Sequence, residues 1–455
     1  MLQKNFTLFF IFISVALFSQ ETPPSIEWGR VYYSFSSNLH GKVPIPGTDN
    51  YVVPDVSIID ERGNTLKSSP LNIWANSVKP TPDGGFIAIT AVKADSFYAK
   101  VFFDDTYTGF GGRDAVLIKL DSSLEAEWTQ NYGGSGDEGG YNVVPTSDGG
   151  YIFVGSTHST DGQLSGIKKL GSAGSYYIVK TDSKGVMQWT KTYGENMAYY
   201  SHQWASQVIE SAEGGYLIAG TIGSDNSGSD GVTNPLGSYD IWVLKLDASG
   251  NLQWQRSLGE SSDESVIHTR QLADGNYIIV GNTESVDKNV SAFSGDITSW
   301  IVKLSATDGE IIWDRAMGEL GQNNVFFTPY TYHQDVLDIL PDGNLIVSAG
   351  ICTSVNFSSY GAPQTILLTK INSETGTVIW HKTYGPLERE TGNASPYSVT
   401  AKSDGSIIVF GEVSFGYHTG VEGAGADFDP SFTTFEPSFG GYYNSWIFKL
   451  SNKPL

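Results

Sequence analysis

The chain has 455 residues, with 49 aspartates and glutamates against 27 lysines and arginines, and a formal net charge of −22. So acidic a surface repels phosphate backbones and anionic lipid, which argues against nucleic-acid binding and suits solubility, cations, or neutral and basic partners. The single cysteine, Cys352, excludes an internal disulfide, and a chain this long can bury its core without one.

Residues 1–20 lie outside the expected fold. Lys4 precedes an apolar run from Phe6 to Phe18 that ends beside a small residue, Ser19, which is the pattern of a secretory signal peptide. The run is shorter than the roughly 20 residues that cross a bilayer. No later apolar run reaches that length. Residues 21–455 are therefore expected to form one exported domain without a membrane span, destined for the periplasm, the cell surface or the medium.

From there a module recurs. The first glycine of one turn returns at Gly84, Gly149, Gly214, Gly275, Gly343 and Gly405, at intervals of 61 to 68 residues. A fixed period of this size marks an array of identical supersecondary units. Each turn closes a hairpin, because Asp-Gly and Gly-Gly between apolar runs supply the positive φ that tight turns need. A second strand follows at once (Tyr151 to Val154, Tyr277 to Val280, Ile407 to Phe410), then a third (Tyr177 to Thr181, Trp242 to Leu246, Trp300 to Leu304), then one carrying a tryptophan. These runs are rich in β-branched and aromatic residues. The expected class is all-β, a single β-propeller of four-stranded blades.

The third and fourth strands share one register. Lys119, Lys180 and Lys245 precede Trp128, Trp189 and Trp254 by nine residues, and Lys303 and Lys370 precede Trp313 and Trp380 by ten. One indole per blade is expected to pack between neighbouring blades. The lysine is expected to lay its stem along apolar surface with its ammonium in water. The last module has Lys449 but no tryptophan strand, whereas the exported chain starts with an orphan one around Trp28. The N-terminal strand is thus expected to complete the last blade, which removes open sheet edges. Trp28 to Trp128 is too long for one module. Within it Val56 to Asn64 resembles Val243 to Asn251 and puts Lys67 at the tryptophan place. Seven blades are favoured, the first degenerate over about residues 31–70; six blades with an N-terminal insertion is the alternative. Cys352 ends a strand-like run from Leu345 and reads as a small buried apolar residue rather than a nucleophile.

The Asp-Gly turns and the turns before each tryptophan strand share one face and are short. The connections on the other face are long, and long loops on a rigid scaffold are where binding resides. Aromatic side chains there can stack on a sugar or grip a peptide. The candidate ligand-binding residues are Tyr199, His202, Trp204, Tyr330, Tyr332 and His333. The competing reading is that such rings staple loops to the rim, and it is preferred for the stretch from Tyr417 to Tyr443. Asp225, Ser227 and Asp230 offer oxygen ligands for a structural calcium. Asp230 stands where an EF-hand needs glycine, so a plain turn competes and no cofactor is firmly expected. No pair of histidines has zinc spacing, no nucleophile elbow or phosphate loop is present, and Asp137 and Glu138 read as local charge.

The runs Tyr132 to Asp137, Pro145 to Ile152, Tyr177 to Asp182 and Trp189 resemble the repeat of secreted bacterial β-propeller proteins. Leu246, Asp247, Gly250 and Trp254 are similar to the tryptophan-docking repeat of quinoprotein-type propellers. The resemblance covers nearly all of the exported chain. It implies the fold rather than an activity. Quinone pockets in such relatives often carry a vicinal disulfide, which a single Cys352 rules out, so no quinone is carried over. The leading expectation is a monomeric, non-catalytic binding or scaffold propeller that engages a glycan or protein through its long-loop face. The rivals are a polysaccharide-acting enzyme with residues gathered at the channel mouth, and a structural envelope component.

Overall fold

A computed structural model describes residues 21–32, 42–71, 74–93, 96, 108–165, 174–194, 203–223, 239–259, 261–285, 297–317, 325–326, 335–351, 365–384, 393–414 and 443–451. They form seven antiparallel blades arranged in a ring. Blades 1 to 6 occupy residues 43–68, 77–132, 138–193, 204–258, 264–316 and 325–384. Blade 7 takes residues 393–450 and, as its outermost strand, Ile26–Tyr32. In blade 3 the strands are Glu138–Pro145, Tyr151–Thr157, Ser175–Thr181 and Met187–Tyr193, from the channel outward. The expected degenerate first blade is real but small, and Lys67 pairs with Ile58 at the place that tryptophan takes elsewhere.

The second strands are buried on both faces, because each is sandwiched between two neighbouring blades. That is why they read as unbroken apolar runs rather than alternating ones. The core is accordingly divided. Seven apolar clusters lie one at each boundary between blades. At the boundary of blades 3 and 4, Ile152, Val154 and Tyr176 meet Val208, Ile218 and Trp242. The fourth-strand tryptophans add to these boundaries, as expected. Trp128 packs on Tyr151 of the next blade with centroids 5.9 Å apart, Trp189 on Tyr216 at 5.9 Å, and Trp254 on Tyr277 at 6.3 Å. Trp313 reaches the turn of blade 6 and donates its indole N–H to the Ser373 carbonyl at 3.2 Å. Trp380 is buried in the cluster between blades 6 and 7.

Each of these tryptophans pairs across the ladder with the lysine that precedes it, and the rule extends to ring closure: Trp28 pairs with Lys449. The N-terminal segment also ties down blade 6. Glu21 bonds Lys370 at 2.6 Å, and Tyr384 donates its hydroxyl to the Pro24 carbonyl at 2.8 Å.

The lysines differ from expectation. Their ammonium groups are not in open water. Lys119, Lys180, Lys245, Lys303 and Lys370 are all buried. Their ammoniums meet Asp83, Asp148, Glu213, Asp274 and Asp342 at 2.9, 2.8, 3.5, 2.7 and 2.7 Å. Those acids sit in the hairpin turn between the first and second strands of the same blade. The lysine therefore pins that turn to the third strand. Asp83 is lowered to about 2, chiefly by the Thr81 hydroxyl and then, against burial, by Lys119. Burial pushes Asp148 up, but Lys180, Thr146 and the Gly150 N–H outweigh it and hold it at about 2.

Acid sensitivity follows from the sign of these shifts. A carboxyl whose folded pKa lies below its unfolded value of about 3.9 stabilises fully above that value and loses its contribution as pH falls through the folded one. Asp114 opposes this at milder acidity, since burial raises it to about 6. The denaturant midpoint is therefore expected to hold near pH 5 and to fall between about pH 4 and pH 2. A midpoint as high at the acid end as at pH 5 would contradict the pinned-turn account. In the same assay Asp148→Asn should cost roughly 2 kcal/mol, below the cost of breaking a fully buried pair because Asp148 is half exposed. Adding Lys180→Met should recover part of that loss.

Candidate functional site

Strand order decides which residues share a face. The turns between first and second strands are five or six residues long in every blade, as are those between third and fourth strands in blades 1 to 6; in blade 7 the fourth strand is the N-terminal one and no such turn exists. In blades 2 to 7 the second and third strands are joined by residues 94–112, 158–174, 224–238, 284–297, 352–364 and 415–442, all at the opposite face. The elaboration is one-sided. Trp204 begins the first strand of blade 4 at that long-loop end, paired with Thr221 and partly buried. Of the other candidates, Tyr199, His202, Tyr330, Tyr332 and His333 lie outside the described residues, as do Asp225, Ser227, Asp230 and Cys352. Among the described residues no group of three or more acidic, histidine or cysteine side chains is disposed to hold a metal ion.

Glu138 is not surface charge. It is buried at the long-loop end, accepting hydrogen bonds from the Gly134 N–H at 2.8 Å and the Thr157 hydroxyl at 2.7 Å. Glu264 repeats the arrangement two blades on, with Thr283 and Ser285 both at 2.6 Å. Glu138 thereby ties the connection between blades 2 and 3 to its own blade, and Glu264 ties the first strand of blade 5 to the end of the second.

The other end of the channel carries a site that residue types alone did not reveal. The first strands of blades 3, 4, 5 and 7 each contain a bulge, after which Asn142, Gln207, His268 and Ser398 take the same register position. A bulge adds an unpaired residue and re-aims the side chains beyond it. Two residues further on, one place before the hairpin end of the strand, stand Val144, Ile209, Arg270 and Thr400, and Lys79 takes the same place in blade 2, whose first strand has no bulge. Lys79, Asn142, Gln207, His268, Arg270 and Asp335 line a cavity of about 210 Å³ in this short-turn half of the channel.

The charges there come from three blades. His268 Nδ1 lies 3.5 Å and Arg270 Nη2 3.9 Å from Asp335 Oδ1. No carboxylate of the described residues lies within ion-pair distance of Lys79. Burial lowers the Lys79 ammonium from its ordinary value, Asp335 opposes this, and Arg270 adds to it. Asp338 stands nearby on blade 6 and accepts the N–H groups of Ile339 at 2.9 Å and Ala401 at 2.8 Å. Burial raises Asp338, against the field of Arg270. Among the described residues lining the cavity, Asp335 is the one carboxylate, so the paired acids of a glycoside hydrolase are not assembled there.

The signal that would have found this site was in the repeat. Lys79, Val144, Ile209, Arg270, Asp338 and Thr400 each stand four residues before the acid of their hairpin turn. Two blades fill the place with Val or Ile. Blade 7 carries Thr there, and blades 2, 5 and 6 carry a charge.

No family model matches the chain. The regulatory protein FlaEY of Caulobacter vibrioides is 24% identical over 205 residues, which is 43% of this chain. The chain matches 20% of that protein's length, well under two thirds of it. A protein of unknown function from Bacteroides caccae is similar in structure at 14% identity and TM-score 0.39, over 76% of this chain and 94% of its own. Puromycin hydrolase is similar at 11% identity and TM-score 0.46, over 87% of this chain and 55% of its own. A quinohemoprotein alcohol dehydrogenase of Pseudomonas putida is similar at 10% identity and TM-score 0.41, over 95% and 78%.

Proposed function

We propose that the chain is an exported, non-catalytic β-propeller that binds a glycan or protein partner through its long-loop face. The observation that carries this reading is the one-sided elaboration. Six connections of 13 to 28 residues leave the ring at one face, while the turns of the other face stay at five or six. A closed ring with a core at every blade boundary is a rigid platform, and added length confined to one side of it costs little stability. The acidic surface favours a neutral or basic partner over an anionic polymer. Trp204, at that face and partly buried, is the aromatic contact on which the reading can be tested.

The test is a glycan array probed with the purified protein, with and without calcium. Specific binding that is lost in Trp204→Ala, while the thermal melt is kept, is the expected result for a glycan partner. Binding that survives the substitution would place the site elsewhere. A blank array with calcium present would overturn the glycan arm.

A further inference from the structure

We propose that the short-turn half of the channel is a second binding site, one for a small carboxylate-bearing ligand held between Lys79 and Arg270. It is separate from the long-loop reading. Trp204 and Ile209 lie at opposite ends of one strand, which at about 3.3 Å per residue separates them by roughly 16 Å.

Three observations converge. First, the space has the size of a small organic acid. About 210 Å³ is room for roughly seven waters at ~30 Å³ each. Second, its charge is opposite to that of the molecule. Lys79 and Arg270 contribute two cations and Asp335 one anion, so setting His268 aside the lining carries one formal positive charge in a chain of −22. A single net positive charge matches a carboxylate better than a doubly charged phosphate. Third, the cations are not used up by structure. Lys79 has no ion-pair partner among the described residues, and Arg270 touches Asp335 only at 3.9 Å. The lysines of the pinned turns, by contrast, meet their acids at 2.7 to 3.5 Å. A planar guanidinium can take a carboxylate through two parallel N–H bonds. Asn142 Oδ1, buried at the bulge without a hydrogen-bond partner, is an acceptor only, so it would take a hydroxyl of the ligand and not its carboxylate.

Substitutions that keep the fold are available from the protein itself. Lys79→Val and Arg270→Ile install the residues that blades 3 and 4 carry at the same place. The experiment is calorimetric titration of the full chain with acetate, malonate and glucuronate, beside glucose and inorganic phosphate. Binding of carboxylates but not glucose, weakened by at least about tenfold in each variant, is the expected result. The proposal is overturned if no carboxylate binds, if glucose matches glucuronate, if phosphate binds tighter than every carboxylate, or if both variants bind like the parent. Because the specificity comparison needs the parent alone, a variant that misfolds does not rescue it. Trp204→Ala should leave these titrations unchanged, so failure here and failure of the long-loop reading are told apart.

Discussion

Removing residues 21–32 is expected to destroy cooperative unfolding rather than to lower its midpoint. Strand Ile26–Tyr32 is the outer strand of blade 7, and six of its residues pair with Tyr443–Leu450. Its loss bares a sheet edge that can template pairing with another chain. It also removes partners from the neighbouring blade, since Lys370 loses Glu21 and Tyr384 loses the Pro24 carbonyl. Lys370 is 7% exposed, so among the described residues a buried ammonium is left with Asp342 alone. The summed loss is comparable to the whole ~5–15 kcal/mol by which domains are stable. Chromatography and circular dichroism of the truncated chain should show aggregation and a broad melt. A monomer with the parent's sharp transition would show that the ring does not depend on this closure.

The second large effect is expected at Gly155. The bulge between Gly140 and Asn142 brings the carbonyl of Gly139 over the second strand. A Cβ on Gly155 would lie 1.6 Å from that oxygen and 2.6 Å from its carbon, and both are backbone atoms that no rotamer change can move. Gly220 and Gly281 meet the carbonyls of Trp204 and Ser265 in the same way, at 2.1 and 2.2 Å. Gly155→Ala must therefore prise apart the two innermost strands of blade 3, at about 4 kcal/mol or more, well beyond an ordinary substitution. Gly149, six residues earlier, is the control. It has φ of 82° and nothing within 4 Å of its would-be Cβ. Gly149→Ala should cost only the about 1–2 kcal/mol of left-handed backbone. Urea unfolding of both variants measures the contrast. Equal costs would mean that the bulge does not hold the close approach.

The same bulge precedes Asn142, Gln207 and His268, which line the channel cavity, and it has a glycine on the neighbouring strand. The repeat made the blades legible because each Lys–Trp pair is a cross-strand register marker, and the marker survives even where Trp28 and Lys449 come from opposite ends of the chain. Lys67 in the tryptophan place was enough to expose a first blade whose strands are only two to four residues long. The lysine environment was not legible. Its partner acid belongs to a turn about thirty residues away, and only the ladder brings the two together. The channel was hidden for a related reason. Lys79, Arg270 and Asp335 lie on blades 2, 5 and 6, far apart in the chain, and only closure of the ring brings them to one cavity.

The central claim is that partner binding belongs to the long-loop face and is independent of the channel. Glycan-array binding and glucuronate titration, run side by side on the parent, Trp204→Ala and Lys79→Val, test it most directly. The account predicts a double dissociation: Trp204→Ala loses the array signal and keeps the titration, and Lys79→Val does the reverse. A single variant that loses both, with its melting transition intact, would contradict it and make the two ends of the channel one site.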